Sequence, residues 1–254
     1  MHIMNVPVLV FLVSWSILWL TSRLGVYVGR HRRDLESGER EDLNVIITSV
    51  LTLLGLLIGF TFSMATTRYD QRKNYEEEEA NAIGTEYLRL GLLSSADAAK
   101  IQELLRAYLD QRIHFYQTQN PAKLQQINEQ TSRLENDLWS AVETSARSNP
   151  TPVVALSVSG MNDVLNSQGY TQAAWWNRIP VAAWGLMFAI ALCCAYLVGF
   201  TAHHVEGKPH RYFILPMIVA VAFLLIADID SPRGGVIRIH PQNLESLAQS
   251  LTPR

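Results

Sequence analysis

The sequence predicts an all-α membrane protein with four transmembrane helices and a helical-bundle domain inserted between the second and the third. Three observations lead to this fold class. The 254 residues are 48% hydrophobic and only 17% charged, which is too apolar for an ordinary soluble domain. The apolar residues cluster in four runs of spanning or nearly spanning length. The polar segment between the second and third runs has helical periodicity and no strand pattern.

This plan divides the chain into successive segments. In order they are a first span at 5–28, an arginine-rich loop at 29–42, a second span at 43–66 that continues as a helix to about 90, an aqueous helical bundle at 67–178, a third span at 179–202, a loop at 203–211, a fourth span at 212–229, and a tail at 230–254. The first run could instead be a cleaved signal peptide, but no basic residue precedes it and its apolar run is too long for one.

The second span continues into a charged helix without a break. Residues 43–65 are uncharged and predominantly apolar. Beyond them, Ala80, Ile83, Tyr87 and Leu90 follow the three-and-four spacing of a helix that buries one face. Since neither Pro nor a turn dipeptide intervenes, one helix is predicted to begin in lipid and end in an aqueous domain.

Capping residues and prolines mark the helix ends within the aqueous segment. Ser94 is a predicted N-cap, and Asn120-Pro121 separates that helix from the next one at about 122–147. A shorter helix at about 153–167 is predicted to end at Gly169, the residue type common after a helix C-terminus. The segment therefore predicts an antiparallel bundle of three or four helices.

The arginine distribution predicts an orientation in a bacterial inner membrane. The loop at 29–42 carries four arginines, whereas the residues before the first span carry none. By the positive-inside rule this loop is cytoplasmic, and the N-terminus and the helical bundle are non-cytoplasmic. One observation opposes this orientation: three basic residues lie at the far end of the second span, namely Arg68, Arg72 and Lys73.

Several classes of function and site are not supported by the sequence. The net charge of -2 and the lack of a basic stripe give no sign of nucleic-acid binding. An enzyme is not expected, because nucleophile elbows, HExxH and phosphate loops are missing.

Cys193 and Cys194 are adjacent within a span and indicate neither a disulfide framework nor a metal site. His203, His204 and His210 share a short loop without the partners of a tetrahedral metal site.

A ridge of small residues follows the second span. Gly55, Gly59 and Ser63 recur at every fourth position and so lie on one helix face, with Phe60 and Phe62 flanking them. Such a ridge indicates close helix packing, within the chain or between copies of it. Alternatively, it surrounds a pore whose apolar constriction gates by dewetting.

Four consecutive glutamates at 76–79 cover a full helical turn. Such a run is typically a solvated surface. If several copies of the helix surrounded an axis, the carboxylates could instead form a ring that favours cations or binds a divalent ion. Arg72 with Glu76 and Lys73 with Glu77 also have the spacing of helical ion pairs.

The fourth span ends in a DxDxPxxG turn. Its residues are Asp228, Asp230, Pro232 and Gly235. A carboxylate at a membrane boundary is costly unless it meets water or a partner. The turn is interpreted as structural, with an ion pair to a residue such as Arg68 or Arg233, or as a cation site of calcium-compatible oxygens.

Three segments resemble the bestrophin-like membrane proteins of bacteria. They are FTFSMATTRYDQRK, EEANAIGTEYLRLGLL and DIDSPRGGVIRI, and the resemblance covers nearly the whole chain. The charged and polar residues that these motifs place on the extension of the second span are Arg68, Asp70, Arg72, Glu79, Asn81 and Glu86.

The resemblance implies a fold and a function. Bestrophins are pentameric, calcium-gated anion channels whose second span lines the pore. The resemblance would place Gly59, Phe60 and Ser63 at the narrowest part of the pore. It would place Asp228 and Asp230 where bestrophins bind calcium. The chain departs from that pattern, because its acidic patch has only two residues and its arginine count places the middle domain outside the cytoplasm.

Two functions are therefore predicted as alternatives. The first is an oligomeric ion channel whose second span lines the pore, with copies of the chain and an inorganic ion as partners. The channel is predicted to need no cofactor. If it binds one, calcium is the candidate. The second is a non-channel binding or sensing subunit whose helical bundle engages a ligand or a partner protein.

Overall fold

The computed structural model describes residues 6–31, 37–201 and 211–251. Within these ranges the chain forms helices and contains no strand. In chain order the elements are α1 (Pro7–Arg30), α2 (Ser37–Arg89), a 3-10 turn (Leu90–Leu92), α3 (Ser95–Gln117), α4 (Pro121–Ser148), α5 (Pro152–Trp176), α6 (Val181–Thr201), α7 (Arg211–Asp230) and α8 (Gln242–Leu251).

The chain consists of two compact units. The membrane unit comprises Met1–Arg68 and Arg178–Arg238, and the bundle unit comprises Tyr69–Asn177 and Ile239–Arg254. Helix α2 belongs to both, because the boundary falls within it. Among the described residues, four stretches are long and apolar enough to cross a membrane, and they lie within Pro7–Arg30, Gly38–Leu92, Pro152–Thr201 and Phe213–Asp230.

Helices α1, α6 and α7 pack against one another in the membrane unit. Glycines permit the close approach of α1 to α6, since a Cβ atom at Gly25 would clash with the backbone of Tyr196, and one at Gly199 with the backbone of Ser22. Between α6 and α7, Trp184 and Phe223 are buried in an edge-to-face contact with 5.9 Å between the ring centroids.

The bundle unit has one apolar core. Buried side chains from the extension of α2 and from α3, α4, α5 and α8 share it. They include Ile83, Leu105, Tyr108, Leu138, Val164 and Leu244. Polar caps fix the helix starts: the hydroxyl of Ser94 accepts from the backbone N–H of Asp97, and the side chain of Asn120 accepts from that of Ala122.

Three elements differ from the sequence-based expectations. Helix α2 begins at Ser37, within the stretch 29–42 that was predicted as a loop. Gly169 does not end α5, which continues to Trp176 and ends before Asn177. The helix continues because Thr171, Ala174 and Trp175 bury the same face as the residues before the glycine. The tail is also more than a turn, since α8 follows it and buries Leu244 in the core of the bundle unit.

Candidate functional site

One face of the membrane-spanning half of α2 carries small and hydroxyl side chains that are exposed. Thr48, Thr52, Gly55, Gly59 and Ser63 follow one another at intervals of three or four residues, so they form a single stripe. A Cβ atom built at Gly55 or Gly59 would meet nothing within 4 Å. The predicted ridge therefore makes no close packing contact at these two glycines with the described part of this chain.

The buried side chains of the same span lie on the far side of the helix. Leu54, Thr61 and Ala65 are the buried residues there, at intervals of seven and four. Phe60 and Phe62, on either side of the stripe, are 62% and 40% exposed. Helix α2 thus packs through one face within the chain and presents the stripe on the opposite face.

The six motif residues on the extension of α2 do not share one environment. Arg72, Glu79 and Glu86 are buried, whereas Asp70 and Asn81 are exposed. Arg68, the sixth, is half-buried. The three buried groups are the informative ones, since burying a charged group is unfavourable unless partners replace its water.

Arg72 holds the C-terminus of α5. Its Nε donates to the carbonyl of Ala174 at 3.1 Å, and its Nη2 donates to the carbonyl of Asn177 at 3.1 Å. The last carbonyls of a helix lack partners within that helix and carry partial negative charge. A buried guanidinium at this position therefore satisfies them and sets where the helix ends.

Glu76 holds the N-terminus of α8. Its carboxylate accepts from the backbone N–H groups of Asn243 at 2.9 Å and Leu244 at 3.0 Å. The side-chain amide of Asn243 adds a third hydrogen bond at 2.7 Å. An acidic group at a helix N-terminus satisfies free N–H groups and is favoured by the helix dipole.

The glutamate run at 76–79 is therefore divided between two environments. Glu77 and Glu78 are exposed, whereas Glu76 and Glu79 are buried. The prediction of a solvated surface is wrong for the two buried residues. Positions three apart lie on one helix face, and here that face is turned towards the interior of the bundle unit.

Glu79 forms a buried ion pair with Arg112 of α3, and both side chains are 0% exposed. Its carboxylate also accepts from Tyr116 at 3.2 Å and Thr171 at 3.1 Å. Burial alone would lower the pKa of Arg112, but the Glu79 carboxylate outweighs that effect and the pKa lies above its ordinary value. The guanidinium thus stays charged. It also lies 4.5 Å from the centroid of the Phe115 ring.

Glu86 is a buried carboxyl group of a different kind. It is 0% exposed, and neither of its oxygens has a hydrogen-bond partner among the described residues. Burial raises its pKa to about 8, while the charge of Arg89 opposes this shift and that of Asp163 adds to it. The group is therefore mostly protonated at pH 7.

The two aspartates at the C-terminal end of α7 are both engaged in hydrogen bonds. Asp228 accepts from the backbone N–H groups of Val236 and Ile237, each at 2.8 Å. Gly235 has a φ of 92°, and a Cβ atom there would clash with the Asp228 carboxylate, so the turn requires glycine. Pro232 lies half-buried within the turn.

Asp230 pairs with Arg178, a partner that the sequence analysis did not name. Its carboxylate accepts from Arg178 Nε at 3.1 Å and from the backbone N–H of Ile179 at 3.1 Å. In the described ranges, no group of three or more His, Cys, Asp or Glu side chains is arranged to hold a metal ion. The hydrogen bonds tie Asp228 to the backbone of the turn and Asp230 to the segment just before α6.

Some sequence-based interpretations fall outside the described residues. His203, His204 and His210 lie in the segment 202–210, and Arg32 and Arg33 lie in the segment 32–36. The structure therefore describes neither the histidine loop nor that part of the arginine-rich loop.

Comparison with known proteins places the chain in a family. A family model described as the Bestrophin-like domain matches residues 8–244. The chain belongs to the bestrophin-like family. A search of curated proteins finds no significant match. This bestrophin-like chain is a multi-pass membrane protein, as the four apolar helical stretches in its described part also indicate.

Solved structures of a bacterial bestrophin homologue from Klebsiella pneumoniae share the fold. One, solved by Zn-SAD phasing, has a TM-score of 0.62 and 15% sequence identity over 94% of this chain and 94% of that chain. A single-site variant of the same protein has a TM-score of 0.65 and 14% identity over 94% of this chain and 93% of that one. The resemblance noted from the sequence motifs is confirmed.

Sequence reasoning missed the interior of the bundle unit in this bestrophin-like chain. Arg112 and Tyr116, which bind Glu79, were not identified as site residues. A signal was present: Arg112 lies between Tyr108, Leu109, Phe115 and Tyr116 on the apolar face of α3, where an unpaired arginine would be unfavourable. A cation on such a face predicts a buried carboxylate nearby.

Proposed function

We propose that this bestrophin-like chain is a subunit of an oligomeric ion channel whose pore is lined by α2. The observation that carries the proposal is the exposed stripe of Thr48, Thr52, Gly55, Gly59 and Ser63 on the face opposite the buried one. Lipid tails favour large apolar side chains, so a hydroxyl and glycine face is better suited to water or to a neighbouring helix.

Copies of the chain are the proposed partners along this stripe. Small side chains permit close backbone approach, and several α2 helices around an axis would enclose a path across the membrane. Phe60 and Phe62 would then supply apolar groups beside the path, which is the arrangement of a constriction that gates by dewetting. The permeating species is proposed to be an inorganic ion.

The turn at Asp228 and Asp230 is proposed to act without a cofactor. Four hydrogen bonds from Val236, Ile237, Arg178 and Ile179 already compensate the two carboxylates. Calcium would have to compete with these donors, so calcium gating is not part of the proposal. The inner membrane of a bacterium remains the proposed location.

Ion flux from liposomes that contain the purified protein tests the channel. The wild type should pass halide or alkali ions, and Phe60→Ala should change the flux. Ser63→Cys, in a background without Cys193 and Cys194, should be blocked by a charged thiol reagent. Leu53→Cys is the matched control, because Leu53 is 45% exposed and lies away from the stripe.

The outcomes separate the two candidate functions. Block at Ser63→Cys together with flux through the Leu53→Cys control supports a pore along the stripe. Flux with equal effects of the reagent at both positions contradicts the assignment of α2. An absence of flux at every voltage, pH and calcium concentration contradicts the channel and leaves the binding-subunit alternative.

A further inference from the structure

Among the described residues, five buried polar atoms without a hydrogen-bond partner lie along the contact between α3 and α4. The atoms are Tyr108 Oη, Arg112 Nη1, Asn128 Oδ1, Thr131 Oγ1 and Glu135 Oε1. In a native interior nearly all buried polar atoms are hydrogen-bonded, so five exceptions in one place need an explanation.

The helix positions place these atoms on one face of each of two packed helices. Helices α3 and α4 are joined by a short turn at Thr118–Asn120, so they run antiparallel and pack side by side. Tyr108 and Arg112 are four residues apart on α3. Asn128, Thr131 and Glu135 are spaced by three and four on α4, which also places them on one face. We call these five side chains the polar seam.

Electrostatic effects relate three members of the polar seam, Tyr108, Arg112 and Glu135, to one another. Burial raises the pKa of Glu135, and the charge of Arg112 opposes this shift while that of Glu79 adds to it. Burial also raises the pKa of Tyr108, which responds to Arg112, Glu79 and Glu135. The seam therefore lies next to the buried ion pair of Glu79 and Arg112.

Arg112 makes the unpaired arrangement most unfavourable. Its Nε and Nη2 are bonded to Glu79, but its Nη1 is a charged donor in a residue that is 0% exposed. A buried unpaired donor loses its hydration without compensation, and a charged one loses more than a neutral one. Tyr108 and Thr131, at 0% and 1% exposed, are equally closed to bulk solvent.

The seam contains both donors and acceptors, yet no member bonds directly to another. The guanidinium Nη1 can only donate, and the carbonyl oxygen of Asn128 can only accept. The two hydroxyls can do either. Polar groups that face each other beyond hydrogen-bonding distance are commonly joined by a bridging molecule. Glu79 already neutralises Arg112, and burial raises the pKa of Glu135, which favours its uncharged form, so neither a cation nor an anion is required.

We propose that the polar seam is a binding site for ordered internal water, which bridges Arg112 Nη1 to the side chains of Tyr108, Asn128, Thr131 and Glu135. Water is small and neutral, and it donates and accepts at once. A buried water typically makes about three hydrogen bonds to groups of this kind. The site joins half-buried Glu135 to the fully buried Glu79–Arg112 pair.

Two isosteric substitutions test the site in the full-length protein. Thr131→Val and Tyr108→Phe remove one hydroxyl each. If the hydroxyls bind bridging water, each variant should lower the Tm by about 2–4 °C, the effect of losing one hydrogen bond in a protein of this size. The double variant should lose less than the sum, because both hydroxyls belong to one hydrogen-bonded group.

Matched controls use the same chemistry at exposed sites. Thr144→Val is on α4, where the hydroxyl bonds only to the carbonyl of Ser140, and Tyr170→Phe removes an exposed phenol. Both should change the Tm by less than about 1 °C. An unchanged or raised Tm in Thr131→Val and Tyr108→Phe overturns the proposal, since removing a truly unpaired buried hydroxyl is neutral or stabilising.

A high-resolution experimental map of the wild type gives the second measurement. Density for solvent within hydrogen-bonding distance of Arg112 Nη1 and at least two other members of the polar seam supports the site. A direct hydrogen bond from Arg112 Nη1 to Glu135 or Asn128, with no solvent between them, overturns it.

Discussion

Glu86 of α2 lies directly against Gly160 of α5, where a Cβ atom would clash with the carboxyl group. The contact joins two helices of the bundle unit through a side chain with no hydrogen-bond partner among the described residues. Both residues are buried, and the glycine is what allows the carboxyl group to fit. Several consequences of this packing can be measured.

Gly160→Ala should destabilise the protein by about 1–3 kcal/mol, because the added methyl group must displace Glu86 or separate α2 from α5. Gly169→Ala is the control on the same helix. A Cβ at Gly169 meets nothing within 4 Å, so this change should be neutral or stabilising by up to about 1 kcal/mol. Chemical denaturation measures both. Equal effects of the two substitutions would contradict the close contact.

Glu86→Gln should remove a pH dependence of stability. The pKa of Glu86 is raised from 4.5 to about 8 on folding, so between these values the folded state holds a proton that the unfolded state has lost. The stability linked to this group is full below about pH 4.5 and is lost as the pH rises to about 8. The Tm of the wild type should therefore fall relative to the Tm of Glu86→Gln as the pH rises from 5 to 9.

The control for that pH profile is Glu103→Gln, which changes an exposed carboxylate on α3. Its profile should run parallel to that of the wild type. If the stability profile of Glu86→Gln is also parallel to that of the wild type, Glu86 titrates at its ordinary pKa and its burial does not control its charge.

Glu79→Gln should destabilise the protein by about 3–5 kcal/mol, because it leaves the charge of Arg112 buried without its counter-ion. Glu78→Gln, one position earlier on the exposed face, should change the free energy of unfolding by less than about 0.5 kcal/mol. Denaturation of the two variants side by side makes the measurement. Similar losses of stability in Glu79→Gln and Glu78→Gln would show that the four glutamates at 76–79 share one environment, as they would in a ring or on a surface.

Asp228→Asn should destabilise the turn after the fourth span, since one amide oxygen replaces the two carboxylate oxygens that accept from Val236 and Ile237. The expected loss is about 1–3 kcal/mol. Removing calcium with a chelator should leave the Tm of the wild type unchanged. A drop on chelation that Asp228→Asn abolishes would instead assign calcium to this turn.

A cysteine at exposed Gln125 tests the orientation predicted from the arginines. In a background without Cys193 and Cys194, an impermeant maleimide should label it on intact spheroplasts if the bundle unit is outside the cytoplasm. A cysteine at exposed Arg40, in the first turn of α2, should stay unlabelled. The reverse pattern would place the bundle unit in the cytoplasm, as the bestrophin resemblance implies.

Local signals in the sequence were sufficient for the spans, the long helix and most helix ends. Ser94 and Asn120 cap their helices because a short polar side chain can reach nearby N–H groups whatever the rest of the fold does. Gly169 misled, because glycine marks a helix end only where the backbone turns left-handed, and burial of the residues after it kept α5 helical.

The interior of the bundle unit could not be predicted in the same way. Arg112 is 33 residues from Glu79, and Thr171 is 92 residues from it, so no local spacing relates them. The run at 76–79 has the composition of a surface, and only the packing of α3, α5 and α8 determines which two glutamates are buried. Charge alone therefore predicted a solvated face for residues that hold the unit together.

The capping of α8 by Glu76 has a consequence for biosynthesis. The carboxylate and the backbone N–H of Leu244 are 168 residues apart in the chain, so this contact has very high contact order. During translation the extension of α2 emerges long before α8 is made. The bundle unit must therefore wait until α8 has been translated, with the face that will receive Leu244 uncovered until then. A ribosome stalled before residue 242 should hold a protease-sensitive bundle unit, and a chain that includes α8 should have a protected one.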